Sequence, residues 1–496
     1  MTSTDVRVPI THADGREVHK RLALLVIAMS QLMVVLDATI VNVALEKIQK
    51  ALRFSSADLS WVVTGYTLTF GGFLLLGGKL ADRFGRRRVF MSGAVLFAVA
   101  SLLGGISQSQ GLLISARLLQ GLGGALMSPA ALSLLTVVFD EGEERNKALG
   151  VFSAITAGGA ALGLILGGLL TEYLNWRWVL FVNVPIAVLA VAGALRFLPE
   201  SKDERSAGFD VPGAVLATGG LVSLVFGLVK LNDKTVSAGT KTGVFVLAVV
   251  LLTSFVIVQL RSRTPLVPFR LFKNRSLLGA DTGALFIGAG IFAMFFFLTL
   301  WMQVVNGYSP IKAGLAFLPM TLLIGVSAGI AAKLLGRTGP RPLLLTGMSL
   351  AGVGMLLLGL RLQPDSSYLT VLLPSLALVA GGLGMTFVSL TSAAISGVPH
   401  DDAGIASALL NAGQQVGGAL GLAILTAVSA SRTESLLSGG QPAPGQSGAF
   451  DALVSGWATG FLVAAGFLAV GGVVMGTLIN VNNNSATETS KEAIAA

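Results

Sequence analysis

The sequence predicts an all-α integral membrane protein in which 14 transmembrane helices form two six-helix pseudo-repeat bundles, with two extra helices between them. Three observations support this fold class: the composition, a series of apolar runs and the placement of basic residues. Of the 496 residues, 53% are hydrophobic and only 12% are charged, and the mean hydropathy is +0.79. Soluble proteins carry about 25% charged residues, so this chain has too few charges to cover a water-facing surface.

Apolar runs long enough to span a bilayer, roughly 20 residues each, follow one another along the chain. The first run is too long for a cleaved signal peptide, and we interpret it as an uncleaved first helix. The predicted spans are residues 22–45, 59–78, 89–107, 112–138, 147–170, 178–198, 211–230, 242–260, 277–303, 313–335, 342–362, 369–396, 404–430 and 453–480.

The distribution of lysine and arginine tests this count. An even number of spans places both termini on one side, and the segments on that side hold 23 Lys and Arg, against ten on the other. Because basic residues collect in cytoplasmic loops, both termini are predicted to be cytoplasmic in a multi-pass protein of the cell (inner or plasma) membrane. The same rule accounts for the net charge of +9 without a nucleic-acid partner.

The organisation is repeated. GGKLADRFGRRRV follows the second span, and the related segment GIAAKLLGRTGPRPL follows the tenth, which becomes the second helix of a second half once spans 7 and 8 are set aside. Two related halves around a midplane site are typical of secondary transporters. We predict a monomer with a cytoplasmic tail (1–21), an N-terminal bundle (22–198), two inserted helices with basic linkers (199–276), a C-terminal bundle (277–480) and a second cytoplasmic tail (481–496).

Several kinds of chemistry are disfavoured. The chain has no cysteine, and its three histidines lie outside the apolar runs, so no metal site is predicted. It has no G-x-x-x-x-G-K-[ST] segment, so we expect no nucleotide or other cofactor and a proton gradient as the energy source. A membrane-embedded enzyme would need a catalytic histidine or paired acids, and the loops offer only the acidic cluster at 140–144, which is better interpreted as a solvated loop.

An aspartate lies inside the first apolar run, in VVLDATIVNVAL. Asp37 lies roughly 12 Å from the outer end of its span and Arg117 roughly 8 Å from the outer start of the fourth, at 1.5 Å per residue, so the two could share a depth. Since intramembrane acids are functional by default, we predict that Asp37 carries protons, contacts a cationic substrate, or both. The alternative is a structural acid satisfied by Thr39, Asn42 or Arg117.

Other polar residues in the spans are weaker candidates. Asp281, near the start of the ninth span, is either a second proton-coupling acid or a side chain that snorkels to the interface. The aromatic run from Phe292 to Met302 is expected to face mostly lipid. For the remaining polar residues, cavity lining and interhelical hydrogen bonding are alternatives; they are Ser30, Thr39, Asn42, Gln120, Gln303, Asn411, Gln414 and Gln415.

The segment from Gly78 to Arg88 resembles the cytoplasmic loop motif G-x-L-A-D-R-x-G-R-R of the major facilitator superfamily. In that family the aspartate pairs with basic groups and stabilises one conformation. The resemblance therefore implies a cytoplasmic gate formed by Gly78, Asp82, Arg83, Gly85, Arg86 and Arg87.

Further motifs resemble the 14-helix drug:proton antiporter branch of that superfamily. They are LDATIVNVAL (36–45), RLLQGLG (117–123), WRW with Asn183 and Pro185, WMQVVNGYSPIKAGLAFLP (301–319) and a late glycine-rich helix. The fifth helix of such exporters carries G-x-x-x-G-P-x-x-G-G. Here the glycines match, at Gly159, Gly163, Gly167 and Gly168, but Leu164 replaces the proline.

The resemblance implies that the first and fourth helices line a central cavity. It also implies proton-coupled efflux of hydrophobic, often cationic, drugs or antibiotics by alternating access, which confers resistance. A proton-coupled transporter of a metabolite, a lipid or a small polar solute is the alternative within the same class.

Overall fold

The computed structural model describes residues 19–202, 208–399, 402–438 and 448–479. Within these ranges, 14 helices are long and apolar enough to cross a membrane, which confirms the predicted fold class. In chain order they are α1 (Lys20–Leu52), α2 (Asp58–Phe84), α3 (Arg86–Gly105), α4 (Gln110–Val138), α5 (Glu143–Tyr173), α6 (Trp178–Phe197), α7 (Val211–Val229), α8 (Ala238–Arg261), α9 (Arg275–Val305), α10 (Pro310–Thr338), α11 (Pro340–Arg361), α12 (Tyr368–Ile395), α13 (Ala403–Ser438) and α14 (Ala449–Leu478).

Several predicted spans stop too early, at charged residues that the helices include. The first span was predicted to end at Leu45, but α1 continues to Leu52. Glu46 and Lys50 pair one turn apart in this extension, so the charges are accommodated within the helix. A hydropathy window therefore finds the apolar part of a helix and misses its polar ends.

Two helices are interrupted. α6 is broken at Val182, and α10 is broken at Phe317. Pro319 is the second residue of the segment that follows the α10 break. A proline has no amide N–H to give to a preceding turn, and it is tolerated where a helix begins, so a new helical segment starts there.

The two bundles repeat the same helix pairs. In the first, α1 packs on α5 and α6, and α4 packs on α2 and α3. In the second, α9 packs on α13 and α14, and α12 packs on α10 and α11. The exact boundaries at residues 198 and 276 stay a prediction. The tails predicted for 1–21 and 481–496 lie outside the described residues, apart from residues 19–21.

The glycines of α5 let this helix approach its neighbours closely. A Cβ at Gly163 would lie 1.9 Å from Oγ1 of Thr39, and a Cβ at Gly167 would lie 2.7 Å from the carbonyl oxygen of Ile40. Gly159 faces the same helix, whereas Gly168 faces the start of α10, where its Cβ would lie 2.7 Å from Cα of Ile311. The helix pairs α1–α5 and α5–α10 therefore depend on small residues.

The inserted helices contact both bundles. α7 packs on α8 and also touches α2 and α13. The loop between α7 and α8 forms ion pairs with both bundles: Nζ of Lys230 lies 2.8 Å from Oδ1 of Asp58, the first residue of α2, and Nζ of Lys234 lies 2.5 Å from Oε1 of Glu434, on α13. The amide of Asn232 adds a 2.9 Å hydrogen bond to the carbonyl oxygen of Ala427.

We call the membrane face at which α1 begins and α14 ends the terminal face, and the opposite one the distal face. The bundles meet toward the distal face, where Nε2 of Gln303 donates to the carbonyl oxygen of Val43 at 2.9 Å and the amide of Ile311 donates to Oε2 of Glu172 at 3.0 Å. Among the described residues, no direct hydrogen bond or ion pair joins the two bundles near the terminal face. Hydrogen bonds thus join the two bundles toward the distal face.

Candidate functional site

Asp37 is completely buried in the first bundle and is held by three donors from two other helices. Nη1 of Arg117 lies 2.5 Å from Oδ2 of the carboxylate. The amide nitrogens of Gln120 and Asn183 both donate to Oδ1, at 3.0 and 2.9 Å. Every polar contact on Asp37 is therefore a donor, which suits an ionised carboxylate.

Arg117 is also buried, and its Nε and Nη1 make further hydrogen bonds. Its Nε donates to the carbonyl oxygen of Val62 at 2.8 Å, and Nη1 donates to Oε1 of Gln120 at 2.9 Å. The guanidinium carbon lies 4.6 Å from the centre of the Tyr66 ring, in a cation–π contact. An intramembrane charge is thus neutralised by an acid and further stabilised by a carbonyl, an amide and a ring.

Gln120 is fixed by its neighbours in one orientation. Its oxygen accepts from Arg117, and its nitrogen donates both to Asp37 and, at 2.7 Å, to Oγ of Ser101. Asn183 is different: its Nδ2 donates to Asp37, while its buried Oδ1 has no partner among the described residues. Asn183 begins the second segment of α6, directly after the break at Val182.

The sequence predicted Asp37, Arg117 and Gln120 as site residues, and the structure brings the three together. It does not bring Ser30, Thr39 or Asn42 to Asp37. The side chains of these three residues donate instead to backbone carbonyls of α1 itself. Thr39 and Asn42 therefore do not satisfy the acid, because a hydroxyl or amide on a helix can bond the preceding turn. That Ser30, Thr39 and Asn42 line a cavity stays a prediction.

Sequence reasoning missed Asn183, Tyr66 and Ser101 as members of the site. Asn183 had a signal, because it belongs to the matched W-R-W…N-x-P segment. Tyr66 and Ser101 had none, since a single tyrosine or serine in a span reveals nothing about which helices cross at its depth.

Asp281 lies seven residues into α9 and is 91% buried. Neither of its carboxylate oxygens has a hydrogen-bond partner among the described residues. Its helix packs there against α13, where a Cβ on Gly413 would lie 3.4 Å from the backbone oxygen of Asp281. Snorkelling does not fit this burial, and a role in proton coupling stays a prediction.

Polar residues predicted in the second bundle are dispersed. The nitrogen of Gln303 bonds Val43 across the two bundles, so it joins helices rather than lining a cavity. Asn411 is exposed and donates to the carbonyl oxygen of Ser407 in its own helix, while Gln414 and Gln415 are half-buried.

From the sequence, the aromatic run of α9 was expected to face mostly lipid. The structure shows that this expectation is wrong. Phe296, Phe297, Trp301 and Met302 are all at most 1% exposed. Phe297 packs edge-on against Phe461 of α14, with ring centres 5.8 Å apart. The expectation failed because α9 lies inside its bundle, whereas hydropathy does not distinguish lipid from a protein interior.

The gate motif folds as a tight connection at the terminal face. Asp82 accepts hydrogen bonds from Nε and Nη2 of Arg86 at 3.1 and 3.0 Å. Gly85 has φ of +109°, which favours glycine, and a Cβ there would lie 2.6 Å from Oε1 of Glu200. That carboxylate accepts from the backbone amide of Arg87 at 3.1 Å. Arg83 is exposed and Gly78 faces Pro129, and the gating role of the motif stays a prediction.

The family model of the Major Facilitator Superfamily matches residues 27–422. The chain belongs to the major facilitator superfamily. Within this superfamily the chain is 41% identical over 493 residues to the puromycin resistance protein pur8 of Streptomyces alboniger, an alignment that covers 98% of this chain and 97% of that protein. It is 39% identical to the cephamycin export protein CmcT of Amycolatopsis lactamdurans over 83% of this chain and 85% of that protein.

Solved structures show the same superfamily fold at low identity. A bacterial homologue of the human lysosomal transporter Spinster has a TM-score of 0.65 at 15% identity, over 92% of this chain and 96% of that chain. The POT family transporter PepTSo has a TM-score of 0.64 at 18% identity, over 92% of this chain and 98% of that chain. These likenesses concern the fold alone.

Proposed function

We propose that this protein exports hydrophobic, often cationic, antibiotics or drugs in exchange for protons. The single observation that carries the proposal is the buried Asp37–Arg117 pair, because an ion pair in the membrane interior is retained where charge is used. The names of the similar proteins support the substrate class, since pur8 is described as a resistance protein and CmcT as an export protein.

The terminal face is proposed to be cytoplasmic, because the segments that the sequence assigns to that side hold 23 Lys and Arg, against ten in the segments assigned to the other side. Both termini would then lie in the cytoplasm. A protein whose bundles are joined toward its distal face would be in its inward-facing state, ready to take up a drug from the cytoplasm or the inner leaflet.

The geometry around Asp37 constrains how protons and substrate would be coupled. Protonating Asp37 would leave the buried guanidinium of Arg117 without its counter-charge, and an unpaired buried charge is strongly destabilising. Proton uptake is therefore tied to a rearrangement of Arg117 and its helix α4. A cationic drug would also have to displace Arg117 to reach Asp37. Proton and drug would therefore compete for the Asp37 carboxylate, and the binding of either one would require Arg117 to move.

A proton entering from outside would neutralise Asp37, release a bound cation and favour the return to the inward-facing state. The motif around Asp82 would act as the cytoplasmic gate. Asp281 is the candidate for a second proton site, because it is buried in the second bundle and its carboxylate has no hydrogen-bond partner in the described part of the chain.

Drug susceptibility of a host with and without the gene tests the export proposal, with a proton uncoupler as the energy control. We expect the gene to raise tolerance to puromycin-like antibiotics and the uncoupler to abolish the gain. Asp37→Asn should also abolish it, while Asp365→Asn, the same change at an exposed loop residue, should not. Unchanged tolerance with the wild-type gene across a drug panel would favour the metabolite, lipid or polar-solute alternative.

A further inference from the structure

Among the described residues that bond Asp37, Asn183 is the one whose side chain has a buried acceptor without a hydrogen-bond partner. Its Nδ2 donates to Asp37 at 2.9 Å, and its Oδ1 is buried without a partner among the described residues. The inference that follows rests on the proposed role of Asp37 as a proton carrier.

The other groups on the carboxylate have no acceptor to offer to a proton. A guanidinium has donors only, so Arg117 cannot accept. Gln120 could accept only by turning its amide, which would place its NH2 group against Arg117 and lose its bond to that residue. If Oδ1 of Asp37 were protonated, its O–H would therefore face only hydrogen-bond donors, unless the amide of Asn183 turned.

Asn183 can turn without losing another bond. Rotating its amide by half a turn exchanges nitrogen and oxygen at nearly the same positions, which is why the two are hard to distinguish by shape. The turn presents Oδ1 to Asp37 and gives up only the bond that Nδ2 makes to the ionised acid. Asn183 can thus donate to the carboxylate and accept from the carboxylic acid.

We propose that Asn183 is a positioning residue that allows Asp37 to hold a proton inside the membrane. A proton taken up from water adds to Oδ1 of Asp37, and the new O–H donates to Oδ1 of the turned Asn183. Arg117, now without its counter-charge, still has the Val62 carbonyl at 2.8 Å, Gln120 at 2.9 Å and the Tyr66 ring as partners before it and α4 rearrange. When the proton leaves, the amide turns back and donates again.

The ionisable groups that face Asp37 are Arg117 from α4 and Tyr66 from α2. Among the described residues, the other helices packed on this part of α1 carry their ionisable side chains near their ends. Asn183 is therefore the neutral partner of Asp37 whose hydrogen bonding can favour either the protonated or the ionised form of this acid.

Infrared difference spectroscopy on the full-length protein in lipid vesicles, titrated with pH, tests the proposal. The carboxyl band that Asp37→Asn removes reports protonation of Asp37. In Asn183→Leu, which keeps the shape and removes both hydrogen-bonding groups, the protonated acid loses its only acceptor, whereas the ionised form keeps two of its three donors. We expect half-protonation to need at least a tenfold higher proton concentration than in the wild type.

Asn183→Ser is the matched rescue, because a hydroxyl both donates and accepts. We expect its titration to lie near that of the wild type. If the titration of Asp37 in Asn183→Leu is unchanged, or moves to higher pH, the proposal is overturned. A move to higher pH would mean that Asn183 acts only as a donor to the ionised form.

The wild-type band itself gives a second readout that needs no Asn183 variant to fold. We expect the protonated carboxyl to absorb at the frequency of an acid whose O–H donates a hydrogen bond, and absorption as a free acid would contradict the proposal. If Asp37→Asn removes no titrating band, the proposed function fails rather than the role of Asn183.

Discussion

Arg117→Gln is the perturbation that most directly tests the energetics of the site. The substitution removes the positive charge beside a completely buried carboxylate. Asp37→Asn is the reciprocal change, because it leaves the guanidinium buried without its counter-charge. Asp37→Asn keeps the shape of its side chain, whereas Arg117→Gln is shorter and also loses the contacts to the Val62 carbonyl and the Tyr66 ring.

Removing one partner of a buried ion pair costs about 3–5 kcal/mol of folding free energy. If the two sites were independent, the double variant would lose the sum, about 6–10 kcal/mol. In the double variant, however, neither charge is left unpaired. We therefore expect it to lose no more than either single variant, which gives a coupling energy of about 3–5 kcal/mol.

The assay is equilibrium unfolding in mixed micelles at neutral pH, followed by tryptophan fluorescence, for the wild type, both single variants and the double variant. If the stability loss of the double variant equals the sum of the two single losses within about 0.5 kcal/mol, the reasoning is refuted, because additive effects show that two sites do not interact. A loss below about 1 kcal/mol for Arg117→Gln would also refute it, since only solvent-exposed pairs contribute so little.

Two further predictions concern packing and the inserted helices. Gly167→Ala should lower stability by about 1–3 kcal/mol and slow transport, because the added Cβ would meet a backbone oxygen of α1. Gly158→Ala is the control on the same helix. Its Cβ would have nothing within 4 Å, so neither stability nor transport should change. Lys230→Ala should lower stability by about 1 kcal/mol through the lost ion pairs. Burial lowers the pKa of Lys230, but hydrogen bonds to Asp58 and Asp233 outweigh it and raise the pKa above 10.5. In thermal unfolding, the difference in stability between this variant and the wild type should therefore be constant around neutral pH and disappear only above about pH 10.5, as the lysine loses its proton. A difference in stability that disappears at lower pH would contradict the pairing.

The sequence predicted the fold and the charged centre of the site because both depend on the cost of polarity in a membrane. Asp37 and Arg117 stand out in apolar runs, and few arrangements other than mutual pairing could satisfy them. Their shared depth followed from helix rise alone. The matched motifs then supported Gln120, one turn beyond Arg117.

The remaining members of the site depend on how helices cross, which periodicity does not encode. Tyr66 and Ser101 are common residues of membrane helices, and only the packing of α2 and α3 on α4 brings them to the site. The same limit explains Asn42, which lies close to Asp37 in the sequence and bonds its own helix instead.

The central claim is that Asp37 couples drug movement to proton movement. Its most direct test is proton flux in vesicles reconstituted with purified protein, started by a gradient of a drug to which the gene confers tolerance, without any imposed pH gradient. The account predicts that this drug, flowing down its gradient, drives protons in the opposite direction with the wild-type protein and with Asp365→Asn, and drives none with Asp37→Asn. Equal drug-driven proton flux in the wild type and Asp37→Asn would contradict it.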